Sequence, residues 1–161
     1  MKFTSLQEYF YKLQNVLYLL ILLPLLVFIF LIASPPEKVV ILADEETTIV
    51  EVVLIAIAIM DLVAVSVIFH QAMKQISKAV ALSEKLDRYF RMALIRYSVI
   101  TMSCLLMALG YYLTDHIIFI YLFALGLILY LILWARPAAV CTHLKLKGDE
   151  REMVLYKKDR F

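Results

Sequence analysis

The residue best placed to do chemistry in this sequence is Asp61, a carboxylate inside a long apolar stretch. A charge at the centre of a bilayer costs about 2.5 kcal/mol or more, so such a group must be neutral, paired or hydrated. Three roles fit an intramembrane carboxylate: a hydrogen-bonded clamp between helices, a proton or cation site used in transport, and a polar contact to another subunit.

A weakly polar stripe on a later apolar stretch is the expected partner of Asp61. Tyr97, Thr101 and Cys104 recur at the three- and four-residue steps that place side chains on one face of a helix. The hydroxyls of Tyr97 and Thr101 can hydrogen-bond a carboxyl group, and Arg96 lies close enough along the helix to reach inward. We therefore predict an intramembrane polar site that comprises Asp61, Arg96, Tyr97, Thr101 and Cys104.

Motifs typical of enzymes and of metal or cofactor sites are missing from the sequence. It contains no H-E-x-x-H, G-x-S-x-G or C-x-x-C motif, and its 3 glycines cannot form a phosphate-binding loop. Cys141 with His143 offers fewer than the three or four ligands that a metal site usually needs. We therefore expect a non-catalytic protein without a metal or another cofactor.

Four apolar stretches must position these residues, and each approaches the roughly 20 residues that a helix needs to cross a bilayer. They cover residues 16–33, 49–69, 94–113 and 117–134. Helix is the expected form because every backbone donor and acceptor must be satisfied within the span. We predict an all-α integral membrane protein with a four-transmembrane-helix bundle over residues 16–136. The residues near the end of the first span, Leu31, Ile32 and Ala33, lack the small residue expected two before the cleavage point, so we expect an uncleaved anchor.

Basic residues are distributed unevenly between the connections. Of the 16 Lys and Arg residues, all but Lys38 lie in the N-terminal tail, in the second connection with its flanks, or in the C-terminal tail. Basic segments stay in the cytoplasm during insertion. The pattern therefore predicts that both termini are cytoplasmic, in what we expect to be a bacterial inner membrane. The same charge favours contact with anionic lipid and gives no reason to expect nucleic-acid binding.

Residues 1–15 and the second connection extend the predicted spans on their basic side. Phe3, Leu6, Phe10 and Leu13 recur at helical spacing, which predicts an amphipathic interfacial helix on the inner leaflet. A docking helix for a partner is the alternative. Between His70 and Arg96 the sequence contains no Gly or Pro and is rich in helix formers. We expect the second and third helices to project into the cytoplasm as a helical hairpin.

The tail, residues 137–161, has a different pattern. Polar and apolar residues alternate over residues 142–147, as in a half-buried strand, and a plausible turn and a second apolar run follow. We predict a small β-hairpin there. An isolated hairpin is marginally stable in water, so it needs support from the helical hairpin, the membrane surface or another subunit. The candidate partner-binding residues are His143, Leu144, Leu146, Met153, Leu155 and Tyr156.

These features favour a non-catalytic integral membrane subunit or scaffold of a larger inner-membrane complex. Its expected partners are the lipid bilayer and other membrane subunits or further copies of the chain. The alternative is a small channel or a proton- or cation-linked transporter that uses Asp61. Four spans with one intramembrane carboxylate are similar to small proton-coupled exporters. The first span here lacks their acidic residue, however, so no residue roles are carried over.

Overall fold

The computed structural model describes residues 5–33, 44–79 and 81–157 and is helical with short turns. Within these described ranges six helices follow one another: α1 (Leu6–Ala33), α2 (Asp44–Ile76), α3 (Leu82–Thr114), α4 (Ile118–Ile132), α5 (Pro137–His143) and α6 (Gly148–Tyr156). The prediction that the apolar stretches form helices is confirmed for the described residues. The described residues contain no strand.

Three of these helices are long and apolar enough to cross a membrane: α1, the Thr48–Ile76 part of α2, and α3. The fourth candidate consists of α4 and α5 together, because α4 alone has only 15 residues. The chain turns by 81° between these two helices, so this candidate is bent. The part of the chain that the structure describes therefore contains three to four candidate membrane-spanning helices. At about 1.5 Å per residue, α2 and α3 each reach about 50 Å, well beyond a hydrocarbon core of about 30 Å.

Helix α3 is the centre of the assembly and packs against α1, α2 and α4. Half of its most apolar stretch is buried inside the protein, compared with 17% for the corresponding stretches of α1 and α2. The outward faces of α1 and α2 are also apolar, as lipid contact requires, and include Leu19, Phe30, Met60 and Val63. The layout is thus three helices around a central one, with the largest apolar surfaces on α1 and α2.

One end of the assembly, called the basic end below, holds the start of α1, the end of α2, the start of α3, and both α5 and α6. The Tyr9 hydroxyl donates to the Leu86 carbonyl over 3.1 Å, which joins α1 to α3. Lys85 Nζ lies 2.9 Å from Glu150 Oε2, which joins α3 to α6. These contacts hold the short C-terminal helices against the long ones.

The prediction of a separate interfacial helix over residues 1–15 is wrong for the described part, because α1 is continuous from Leu6 to Ala33. The Ser5 hydroxyl accepts the Glu8 amide over 3.1 Å and caps the helix start. The apolar side chains of Phe10 and Leu13 are fully buried in the protein core. The apolar face therefore packs on the chain itself, although Phe3 lies outside the described residues.

The predicted β-hairpin in the tail is also wrong, because the described part of residues 137–161 forms α5 and α6. Helix α5 ends at His143, and Lys145 takes a left-handed conformation with φ of 52°. That turn buries Leu144 and Leu146, the residues on either side of Lys145, in the same core. An alternating pattern thus arises from a helix end followed by a turn.

Candidate functional site

Asp61 lies within the apolar part of α2, where its side chain is half-buried. It has no hydrogen bond or ion pair with any described residue. Three residues share its side of the helix, because they lie four residues before it, three after it and seven after it: Ile57, Ala64 and Ile68. We call these four residues the Asp61 face. Ile57 is 36% exposed and Ile68 53% exposed, so this face is turned partly away from the rest of the chain.

The stripe on α3 does not face Asp61, contrary to the expected pairing. The Tyr97 hydroxyl donates to the carbonyl of Leu133, which lies at the end of α4 where no further helical amide is available. The Thr101 hydroxyl donates to the Leu20 carbonyl over 3.2 Å. Both hydroxyls therefore tie α3 to the neighbouring helices α4 and α1.

Pro24 explains why Thr101 is needed at that position. A proline inside a helix has no amide hydrogen, so the carbonyl four residues earlier loses its usual donor. Pro24 lies within α1, and the carbonyl it leaves free is that of Leu20. Thr101 supplies the replacement donor from α3. This gives Thr101 a structural role without reference to Asp61.

Cys104 also has a packing role, at the crossing of α3 and α4. A Cβ atom added at Gly126 would lie 2.8 Å from the Cys104 sulfur, so a larger residue there would force the sulfur or the helices to shift. The two residues line an apolar cavity of about 90 Å³ between α2, α3 and α4. Asp61 does not line it. Of the predicted polar site, Tyr97, Thr101 and Cys104 therefore lie within the packed interior and apart from the carboxylate.

Arg96 is the member of the predicted site with unmet hydrogen-bonding capacity. Its side chain is 8% exposed, and its guanidinium carbon lies 4.2 Å from the centre of the Phe69 ring. Its buried Nε has no hydrogen-bond partner in the described part of the chain. Stacking on an aromatic face stabilises a guanidinium only partly, so this group has capacity to bind an acceptor.

A second cavity, of about 350 Å³, lies next to Arg96 at the basic end between α2, α3 and α5. We call it the basic cavity. Its cationic and titratable lining residues are His70, Lys74, Arg96, His143 and Lys145, and the others are Ser66, Phe69, Met73 and Thr142. Sequence reasoning did not identify His70, Lys74 or Lys145 as members of a site. The four-residue step from His70 to Lys74 on α2 was the available signal.

His143 lies at the wall of the basic cavity, at the end of α5 and outside the predicted span 117–134. Its Nδ1 lies 3.2 Å from the Tyr89 hydroxyl, and its ring packs edge-on against Phe69.

The other predicted partner-binding residues are distributed between the core and the surface of the tail. Leu144 and Leu146 are buried within the chain, while Met153 and Leu155 are half-buried. Tyr156 is 68% exposed. The support that the tail needs thus comes in large part from the chain's own helices.

Comparisons with protein-family models, curated proteins and solved structures give no match.

Proposed function

We propose that the chain is a non-catalytic integral membrane subunit of a larger inner-membrane complex, held by four spans with both termini in the cytoplasm. The observation that carries this proposal is the state of Asp61: a half-buried carboxyl within a span, without a hydrogen bond or ion pair to the described residues. A polar group in lipid gains most from a partner on a neighbouring helix. A second membrane subunit that docks on the Asp61 face supplies that partner.

The shape and size of the side chains on this face support such docking. Ala64 lies next to Asp61 on the helix and leaves room for another backbone to come close, as small residues do at membrane-helix interfaces. Ile57 and Ile68 flank the carboxylate with exposed apolar surface. The result is a small polar centre surrounded by apolar contacts, which suits two membrane helices that pack closely and hydrogen-bond across their interface.

The proposed orientation rests on the charge of the two ends. Lys74, Lys85, Arg88 and Arg91 lie at the basic end on α2 and α3, and basic segments remain in the cytoplasm. At the opposite end, Oε1 of Glu51 lies 3.9 Å from Nδ1 of His116, which belongs to the short turn before α4. With α4 as the fourth span, both described ends of the chain fall on the cytoplasmic side.

Transport through Asp61 is the competing function, and the geometry supports it less well. A proton or cation path needs a series of polar groups or a hydrated cavity around the carboxylate. Asp61 lines neither the apolar nor the basic cavity. Tyr97 and Thr101, the expected neighbours along such a path, donate to helix carbonyls.

Substitution of Asp61 tests the proposed assembly. We expect Asp61→Leu to weaken association with the partner about thirtyfold or more, because truncating one side of a buried polar pair costs 2 kcal/mol or more. Asp61→Asn should retain most of the association, since the amide still forms hydrogen bonds. The measurement is the native mass of the full-length particle, purified in a mild detergent from its own membranes.

Val63→Leu is the matched control, because Val63 is 59% exposed on another side of α2 and the change conserves apolar character. It should leave the particle mass unchanged. A wild-type chain that purifies as a lone monomer would contradict the proposal. An intact particle with Asp61→Leu, combined with lost ion flux for Asp61→Asn, would favour the transporter.

A further inference from the structure

The basic cavity concentrates positive charge that no acidic side chain neutralises. Its lining includes Lys74, Arg96 and Lys145, and contains no Asp or Glu among the described residues. None of these three cations forms an ion pair with a described residue. Several acidic residues of the basic end are engaged elsewhere, as Glu84 is with Arg88 and Glu150 is with Lys85. The cavity thus has an excess of positive charge.

Because Arg96 is buried, the excess of positive charge is less favourable here than the same charge would be on an exposed surface. The Arg96 side chain is more than nine-tenths buried, and its buried Nε has no acceptor in the described chain. A buried charge without a counter-charge is strongly unfavourable. A guanidinium presents its donors as a planar fork that matches the oxygens of a phosphate group.

The hydroxyl groups that line the cavity, those of Ser66 and Thr142, limit the kind of ligand that it can bind. Ser66 donates to the Leu62 carbonyl over 2.7 Å, and Thr142 donates to the Ala138 carbonyl over 3.0 Å. Their hydrogens are therefore engaged within their own helices, and the donors left for a ligand belong to the three cationic side chains and to the rings of His70 and His143. That set recognises an anion with several oxygens and does not suit a neutral or cationic molecule.

The position of the cavity along the helices matches the level of lipid headgroups. His70 directly follows the apolar part of α2, and Arg96 lies close to the start of the apolar part of α3. Phe69 and Met73 add an apolar wall to the same cavity. A volume of about 350 Å³ is within the range of ligand pockets.

We propose that the basic cavity binds a phosphate group, presented by an anionic lipid headgroup or as free phosphate, with Arg96, Lys74 and Lys145 as its ligands. The site is independent of the partner proposed for the Asp61 face, since it lies on different residues at the basic end. Arg96 holds the phosphate through its guanidinium, and the two exposed lysines close the site from the aqueous side.

The test uses the full chain in a non-ionic detergent, titrated with dioleoyl phosphatidylglycerol and read by native mass spectrometry. Dioleoyl phosphatidylcholine is the zwitterionic comparison, and inorganic phosphate is added as a competitor. We expect the phosphatidylglycerol to bind more tightly than the phosphatidylcholine. The Lys74→Gln/Lys145→Gln double variant should weaken that binding by about fivefold for each lysine removed.

Lys78→Gln/Lys147→Gln is the matched control, because it removes the same charge from exposed positions at the same end that do not line the cavity. It should change phosphatidylglycerol binding less than twofold. Arg96→Gln should abolish the preference for the anionic lipid, and if that variant loses helicity the double lysine variant decides.

Competition by millimolar phosphate would identify the free ion as a sufficient ligand, and a lack of competition would identify the lipid headgroup. Either result supports the phosphate site. Equal binding of the two lipids would overturn the proposal, as would an equal loss in the cavity variant and the control.

Discussion

Replacing Phe10 with alanine is expected to lower the free energy of unfolding by about 3–5 kcal/mol, the usual cost of deleting a buried aromatic ring. The Phe10 side chain is fully buried at the basic end, where it meets the edge of Tyr9 at 5.1 Å between ring centres. Lys157 Nζ lies 5.6 Å from the centre of the Phe10 ring, so a residue just after α6 also packs against this ring. The measurement is reversible unfolding in mixed detergent and dodecyl sulfate micelles, followed by circular dichroism.

Tyr11→Ala is the control for Phe10→Ala, because Tyr11 is the next residue and is 68% exposed. Its cost should stay below about 1 kcal/mol, as is usual for exposed positions. If the two variants lost equal stability, the start of α1 would be lying in the headgroup region and not in the protein core.

Substituting Gly110 with alanine is expected to cost about 2 kcal/mol or more, the range seen when extra atoms enter a well-packed core. A Cβ atom at this position would lie 2.3 Å from Cε1 of Phe119. Phe119 is fully buried at the start of α4, so its ring has little freedom to move aside. Only glycine lets α3 approach α4 so closely near their connecting turn. The same unfolding assay in micelles measures the loss of stability.

The double variant Gly110→Ala/Phe119→Leu tests whether that contact is the cause. A leucine lacks the ring atoms that meet the added methyl group, so the two changes should cost less together than the sum of their separate costs. Additive costs would show that Gly110 acts through something other than the Phe119 ring.

Hydropathy was sufficient to locate the candidate membrane-spanning helices, because a helix in lipid needs length and apolar side chains on most of its surface. The stretches 16–33, 49–69 and 94–113 lie within α1, α2 and α3, and 117–134 covers α4. The tail was mispredicted for a physical reason. Leu144 and Leu146 lie on either side of the left-handed Lys145, and a turn can bury alternate residues as a strand does.

The polar stripe on α3 was identified from its spacing, but its partners were not. The stripe's hydroxyls satisfy carbonyls that depend on other helices, such as the one that Pro24 leaves free at Leu20. The proline was a usable signal, since a missing amide always creates a demand for a donor. Its consequence for Thr101 depends on how α1 packs against α3, which spacing along one helix does not contain.

The basic cavity could not be predicted from spacing for a similar reason. Its walls come from the end of α2, from Arg96 on α3, and from the region around His143 on α5. The sharp bend between α4 and α5 brings the last of these back to the first two. Charge distribution predicted a basic side to the protein, and tertiary packing turned part of that side into a cavity.

The most direct test of the account is photo-cross-linking from the Asp61 face in native membranes. A benzophenone amino acid is placed at Ile57 or at Ile68, and the control position is Val63 on another side of α2. We expect a light-dependent protein adduct from Ile57 and Ile68 and little from Val63, with the mass of the adduct identifying a second copy or a different subunit. Lipid adducts alone from both face positions, or equal protein adducts from all three, would contradict the proposed subunit contact at Asp61.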